Sequence, residues 1–139
     1  MLSTGLFDRD RQLKNMAKQI TRIVRLAGNE ALLNQMDLGI AFYQRGFIFL
    51  RFGSNNTWAP LTNNNLLQNY TLPARTQLTI TIEGQNIALS STIPKIPQIV
   101  ISSAGELTPF TVGVAISQKP PSYWITGQPQ GNVEWNTAK

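Results

Sequence analysis

Cysteine and histidine are both absent from this chain of 139 residues, and together these absences remove most of the chemistry a protein of this size could perform. Without cysteine there is no disulfide, no thiolate metal site and no thiol nucleophile, and cysteine usage says nothing of the redox compartment. Without histidine the commonest general base and the commonest transition-metal ligand are missing. What remains is seven carboxylates, Asp8, Asp10, Glu30, Asp37, Glu83, Glu106 and Glu134, spread along the chain. No catalytic residue, metal or cofactor is expected from such a set, and the chain reads as a non-enzyme. Asp8-Arg9-Asp10 is too short and too interrupted for a calcium loop.

A long apolar run is lacking too. No stretch approaches the ~20 consecutive apolar residues of a membrane span, and the N-terminus lacks the charged-then-apolar layout of a signal peptide. The expectation is a soluble protein, or one whose leading segment has been removed. The opening Met1-Leu2-Ser3-Thr4-Gly5 fits a chain that starts downstream of an anchor.

What is present suits one domain spanning residues 1–139. Hydrophobic residues make up 42% of the chain, with three Trp, three Tyr and six Phe, and a domain of this length buries roughly two-thirds of its unfolded surface. No repeat and no low-complexity tail interrupts it.

The charge is unevenly placed. Residues 8–25 hold six of the twelve basic side chains against Asp8 and Asp10. At 100° per residue, Arg11, Lys14, Lys18, Arg22 and Arg25 form one stripe, while Leu13, Met16, Ala17, Ile20, Ile23, Val24, Ala27 and Ala31 take the other side. A helix is predicted over about residues 8–34, with Asp8 or Asp10 capping its start and a stop near Asn34-Gln35. Gly28 inside it costs about 1 kcal/mol relative to alanine, so close packing on a sheet is its expected reason. The basic stripe is either a solvated face or a docking face for acidic neighbours or a membrane surface. Nucleic-acid binding is disfavoured, because no stacking aromatic lies between Phe7 and Phe42.

Beyond the helix the period changes from 3.6 to 2, giving a β-rich body over about residues 37–135. Leu38–Tyr43 and Phe47–Phe52 flank Gln44-Arg45-Gly46 as a hairpin. Thr76–Glu83 alternates as a half-buried strand, and Glu83-Gly84-Gln85-Asn86 turns it into Ile87-Ala88-Leu89. Gly53–Thr57, Thr62–Asn65, Pro94–Pro97 and Lys119-Pro120-Pro121 are loops. Residues 98–116 read as another hairpin, with Gly105 supplying a positive φ and Pro109 implying an edge or a bulge. Trp58, Tyr123, Trp124 and Trp135 read as core or rim aromatics, with a stacking platform for sugar or nucleic acid as the rival. Glu106 reads as a turn residue or a partner for a nearby N–H or basic group.

Ser103-Ala104-Gly105-Glu106-Leu107-Thr108-Pro109-Phe110 resembles the S-x-G-E-x-T-P-F hairpin of the H-type minor pseudopilins of type II secretion, the GspH family related to FimT. Two further blocks are similar. Arg25–Ala31 matches that family's R-x-E-A helix end. Gly46–Arg51 with Trp58-Ala59-Pro60-Leu61 matches its G-Y-R-F-L…W-x-P-L segment. In this order the blocks span about three-quarters of the chain, and the C-terminal stretch matches only loosely.

The resemblance implies an α+β, pilin-like fold: one long N-terminal amphipathic helix packed on antiparallel sheets in a two-sheet, sandwich-like body. It implies a structural subunit of a secretion pseudopilus, active in tip assembly and in export of folded periplasmic proteins. The implied partners are the major G-type and minor I-, J- and K-type pseudopilins. The family's Gly-Phe-Thr-Leu-x-Glu cleavage motif and apolar half-helix are not in this sequence, which implies a periplasm-facing domain without its inner-membrane anchor. Two rival functions are a FimT-like minor type IV pilin that binds DNA and a carbohydrate-binding sandwich that uses the Trp residues. The first lacks its expected Arg-rich C-terminal motif, since Ser122–Lys139 carries only Lys139 as a base. Candidate partner-binding residues are Arg11, Lys14, Lys18, Arg22 and Arg25, and the family hairpin is marked by Gly105, Glu106, Thr108, Pro109 and Phe110.

Overall fold

The periodic segment at the front of the chain forms helix α1, Leu2–Leu33. The computed structural model describes residues 2–62 and 64–138, and their side chains except at positions 2–4, 6 and 7. Asn63 of the second loop and Lys139 of the C-terminal stretch lie outside the described residues.

The helix begins six residues before the expected start. Asp8 and Asp10 therefore sit well inside it and cap nothing. Asp8 pairs with Arg11 at 3.6 Å, and Asp10 accepts a hydrogen bond from Tyr123 Oη at 2.7 Å. The first charged residue was a misleading boundary, because nothing in Ser3-Thr4-Gly5 breaks a helix that is already nucleated.

The other end stops where expected. Gln35 takes a left-handed φ of 53°, and Met36 N–H donates to Ala31 C=O at 3.1 Å. That six-to-one bond is the Schellman closure, with Met36 folded back onto the core.

Among the described residues ten strands follow, in two antiparallel sheets. The first holds β1 (Leu38–Tyr43), β2 (Gly46–Phe52), β3 (Trp58–Pro60), β4 (Tyr70–Thr71) and β7 (Ile99–Ile101), in the order β3-β2-β1-β7 with β4 also on β2. The second holds β5 (Thr76–Ile82), β6 (Gln85–Ile87), β8 (Phe110–Ile116), β9 (Tyr123–Gly127) and β10 (Val133–Thr137), in the order β10-β9-β8-β5-β6. The β1–β2 hairpin is present, closed one residue earlier than expected with Tyr43 opposite Gly46. The β5–β6 turn is shorter than expected: Glu83 and Gly84 both take positive φ, and Gln85 already pairs with Ile82.

α1 lies on β8, β9 and β10 and touches β7, so one apolar cluster joins the helix and both sheets. Ala17, Ile20, Ala27 and Ala31 are fully buried, and their small or β-branched side chains let the helix sit close to the strands. The buried Thr21 hydroxyl is satisfied by Ala17 C=O one turn back, at 2.7 Å. Alternation does the same for the sheets. Leu38, Ile40, Phe42, Phe47 and Phe49 enter the core from the first sheet, and Leu78, Ile80, Val112, Val114 and Ile125 from the second. Ala41, Ile48 and Leu50 face the other way into a smaller cluster under Tyr43 and Trp58.

Two expectations are overturned here. Residues 98–116 do not form one hairpin. Their arms start together, with Ile101 bridged to Leu107 and Thr108 N–H donating to Val100 C=O at 2.9 Å, and then part. β7 joins the first sheet and β8 the second, where it is a central strand between β9 and β5 rather than an edge. Pro109 stands at the parting; it has no N–H to continue the ladder, so the chain leaves one sheet for the other.

Gly28 is the second correction. A Cβ there meets nothing within 4 Å, so no close packing requires it. One close approach that does require glycine is at Gly127, where a Cβ would fall 2.1 Å from the ring of Phe110.

These two glycines are expected to respond oppositely to alanine. Gly127→Ala should lower stability by about 1–3 kcal/mol, because the Phe110 ring must move. Gly28→Ala should raise it by about 0.5–1 kcal/mol, because a helix interior gains from a Cβ that finds open space. Urea unfolding of both variants checks the pair.

Candidate functional site

β10 is the outer strand of the second sheet, and the hydrogen-bond phase of its ladder fixes which backbone groups face outward. Gln128 N–H donates to Asn132 C=O and Ala138 N–H to Ser122 C=O, so the even-numbered residues of β10 exchange bonds with β9. Val133, Trp135 and Thr137 are the alternate pairs, whose N–H and C=O groups point away from β9. One of these acceptors is occupied: Arg25 Nε donates to Val133 C=O at 2.8 Å. Among the described residues, the outward groups of Trp135 and Thr137 have no backbone partner.

The basic stripe runs beside this edge. Arg11, Lys14, Lys18, Arg22 and Arg25 are all exposed, as helical spacing predicts. Three of them do more than face solvent. Lys14 and Lys18 place their Nζ atoms 5.9 and 5.8 Å from the centroid of Trp135, and Arg25 reaches over the edge to Val133. Two cations over one indole face hold the Trp135 ring down while their alkyl stems cover it. Among the described residues Arg11 alone of the five has an acidic partner, Asp8.

The family hairpin closes one end of the same region. Gly105 has φ +89°, as expected, and its carbonyl packs so tightly on Gly131 that a Cβ at Gly131 would fall 2.6 Å from that oxygen. Leu107 N–H donates to Pro129 C=O at 3.1 Å, tying the hairpin tip to the β9–β10 loop. Thr108 clasps Val100 through its amide and hydroxyl, while Phe110 is buried over Gly127 and Pro109 is exposed. Glu106 is exposed, and its amide and carbonyl bond to Ser102. Thr108 thus clasps the two arms together and Phe110 packs into the core, which leaves Glu106 and Pro109 exposed to meet a partner.

Two carboxylates anchor this frame, Asp37, to which the sequence assigns no role, and Asp10, which it assigns to a helix cap. Asp37 Oδ1 accepts from Ser103 N–H at 2.8 Å and so fixes the hairpin tip to the start of β1. Asp10 accepts from Tyr123, which ties the front of α1 to β9. Neither pairing has a local sequence signal, since the partners are 66 and 113 positions apart.

Between these parts lies an open groove of about 560 Å³. One wall is the last turns of α1, from Val24 to Leu32; the other is β10 from Val133 to Trp135; Gly105 and Leu107 close the end. Gly28 leaves the helix wall flat, and Leu32 is half exposed at its rim. Arg25 and Glu134 are the charged groups of the lining, with Asn29, Gln130 and Asn132 as amides. The groove brings together one end of the basic stripe and the family hairpin, which are far apart in sequence. Among the described residues no group of acidic side chains is placed to hold a metal. The aromatics do not share a platform: Trp58 meets Phe52 edge-on, Trp124 lies against Gly113, and Trp135 meets Tyr123. The groove is open enough to receive an extended or helical protein segment.

No protein-family model matches the chain. It is 26% identical over 124 residues to the type II secretion system protein H of Pseudomonas aeruginosa, covering 83% of this chain and 70% of that protein. Its fold is similar to that of the minor pseudopilin EpsH from the type II secretion system of Vibrio cholerae, with a TM-score of 0.80, 23% identity and coverage of 91% and 96% of the two chains. Escherichia coli GspH has a similar fold as well, with a TM-score of 0.72 and 18% identity over 94% of this chain and 91% of its own. The helix on antiparallel sheets expected from the sequence is the fold of these proteins.

Burial, the hydrogen bond to Asp10 and the charge of that carboxylate push the Tyr123 phenol up from its ordinary 10.0 to about 12. A raised phenol favours the neutral form in the fold. Its stabilising contribution is therefore complete below pH 10 and is lost as pH rises through about 12. The melting temperature should fall across that window in the wild type and fall less steeply in Tyr123→Phe, which starts lower because Asp10 loses its donor.

Proposed function

We propose that this chain, a member of the H-type minor pseudopilins, is a structural subunit of the type II secretion pseudopilus. Its role is to pack with other pseudopilins and not to catalyse a reaction. The observation that carries the proposal is the sequence match over 83% of the chain to a type II secretion protein H, on a fold with the same helix and two sheets.

The physical features fit such a role. α1 is a two-faced helix: one side is fixed in the domain core and the other presents Arg11, Lys18 and Arg22 outward. Among the described residues no helix is long and apolar enough to cross a membrane. In the proposed arrangement the domain stands on the periplasmic side of the inner membrane, with the N-terminal end of α1 toward the bilayer. It joins the tip with I-, J- and K-type partners above the major G-type subunits, and so takes part in exporting folded proteins. Arg22 and Glu106 are exposed on separate parts of the surface and are the side chains proposed to meet those neighbours.

Deleting the gene in its host tests the role. A type II exoprotein should then accumulate in the periplasm and disappear from the medium, and a plasmid copy should restore export. Unimpaired export together with reduced DNA uptake would overturn the proposal in favour of a DNA-binding minor pilin. Arg22→Glu should weaken capture of the other pseudopilins at least several-fold with an unchanged melting temperature, since Arg22 touches nothing in the core. Lys18, also a docking candidate from its place in the stripe, is a poorer probe because it sits over Trp135.

A further inference from the structure

The five-residue strand β10 keeps an open outer edge beside a row of cations, whereas other edges of the two sheets are closed or short. β7 is covered by the returning arm of its own hairpin, through Thr108 on Val100. Beyond the end of β7, the Gln98 side chain takes both the N–H and the C=O of Phe42, at 2.8 and 2.9 Å, in place of a strand. β3 and β6 have three residues each, and β3 ends in Pro60. β10 has five residues, no proline and no bulge in its register. A strand of this kind is a template for another chain unless something guards it.

We propose that β10 accepts an extended acidic segment of a neighbouring protein as an added strand, held by the outward N–H and C=O groups of Trp135 and Thr137. This rests on the pseudopilus role and names the surface and the chemistry of the contact. Charge selects the occupant. Lys14, Lys18 and Arg25 line the helix side of the edge, and among the described residues none of the three has a carboxylate within ion-pair distance. Glu134 also lines the groove beside Arg25, but side chains alternate along a strand, so its carboxylate leaves β10 from the face opposite to buried Val133. A carboxylate arriving at the Val133 end meets the guanidinium of Arg25, a lining residue of the groove whose Nε is already spent on Val133 C=O. A second copy of this chain is a poor occupant: pairing two β10 edges would bring two such cationic rows together. Strand addition supplies the affinity through main-chain bonds, and the cations supply the choice of partner.

A 15N-labelled chain titrated with a synthetic peptide of about ten residues, alternating valine and glutamate, tests this directly. The amides of Val133, Trp135 and Thr137 should shift, and hydrogen exchange at Trp135 and Thr137 should slow. Affinity should fall roughly tenfold between 50 and 500 mM NaCl, as the screening length drops from about 14 to about 4 Å. Thr137→Pro removes an outward N–H without breaking a bond to β9, so it should abolish binding and leave the melting temperature close to wild type. Lys14→Glu with Lys18→Glu should also abolish it. Equal binding of the lysine-containing counterpart peptide, unchanged binding by Thr137→Pro, shifts centred on β6 or β3, or no shift at all would each overturn the edge. An oligonucleotide that shifts α1 amides while β10 stays still would assign the cations to nucleic acid and overturn it too. The export assay separates the two levels: normal export by a Thr137→Pro chain leaves the pseudopilin role standing and removes β10 from it.

Discussion

Burial of one face of α1 against β8, β9 and β10 is the constraint on which the rest of the molecule depends. That face is made of Leu13, Met16, Ala17, Ile20, Val24, Ala27 and Ala31, all buried. A side chain such as Ile20 contributes about 1.5–3 kcal/mol when fully withdrawn from water, and the contact fixes the helix about its own axis. Once the axis is fixed, every other residue of α1 has an assigned direction. Lys14 and Lys18 fall over Trp135, Arg25 over Val133, and Arg22 into solvent. The direction of each cation of α1 is thus a by-product of how the core was built.

Much of this was legible because periodicity is a local property. The apolar stripe of α1, the alternation in β1, β2 and β5 and the left-handed position at Gly105 all declare themselves within a few residues. The family hairpin identified the fold for the same reason, although its physical role differs from its appearance. Its two arms look alike in β propensity, and nothing local says that they enter different sheets. Pro109 was the available signal. It implies an edge or a bulge by its sequence, whereas it marks the place where a ladder stops and the chain crosses over.

What stayed hidden is whatever depends on two distant segments at once. Asp10 looked like a cap because it is the kind of residue that caps helices, and its partner Tyr123 lies in β9. Gly28 looked like a packing glycine, whereas one close approach of ring and backbone is at Gly127 under Phe110. The groove has the same character, since its walls come from the end of α1, the hairpin tip and β10. Composition can say that such a protein has no histidine or cysteine to offer, but only the assembled chain shows where it could be touched.

The cations beside β10 bear on a conflict built into any open sheet edge. An unpaired strand invites copies of the same chain, and lysine near such an edge is a common guard against that outcome. Here the guard discriminates by sign. Two like copies repel at short range in a weakly screened groove, while an acidic strand finds its approach favoured by the same charges. Fastening Lys14 and Lys18 on Trp135 strengthens this, because a tethered ammonium loses less freedom when a carboxylate arrives than a mobile one does. The same residues therefore solve two problems: they keep β10 from pairing with its own kind, and they hold it available for a partner of opposite charge.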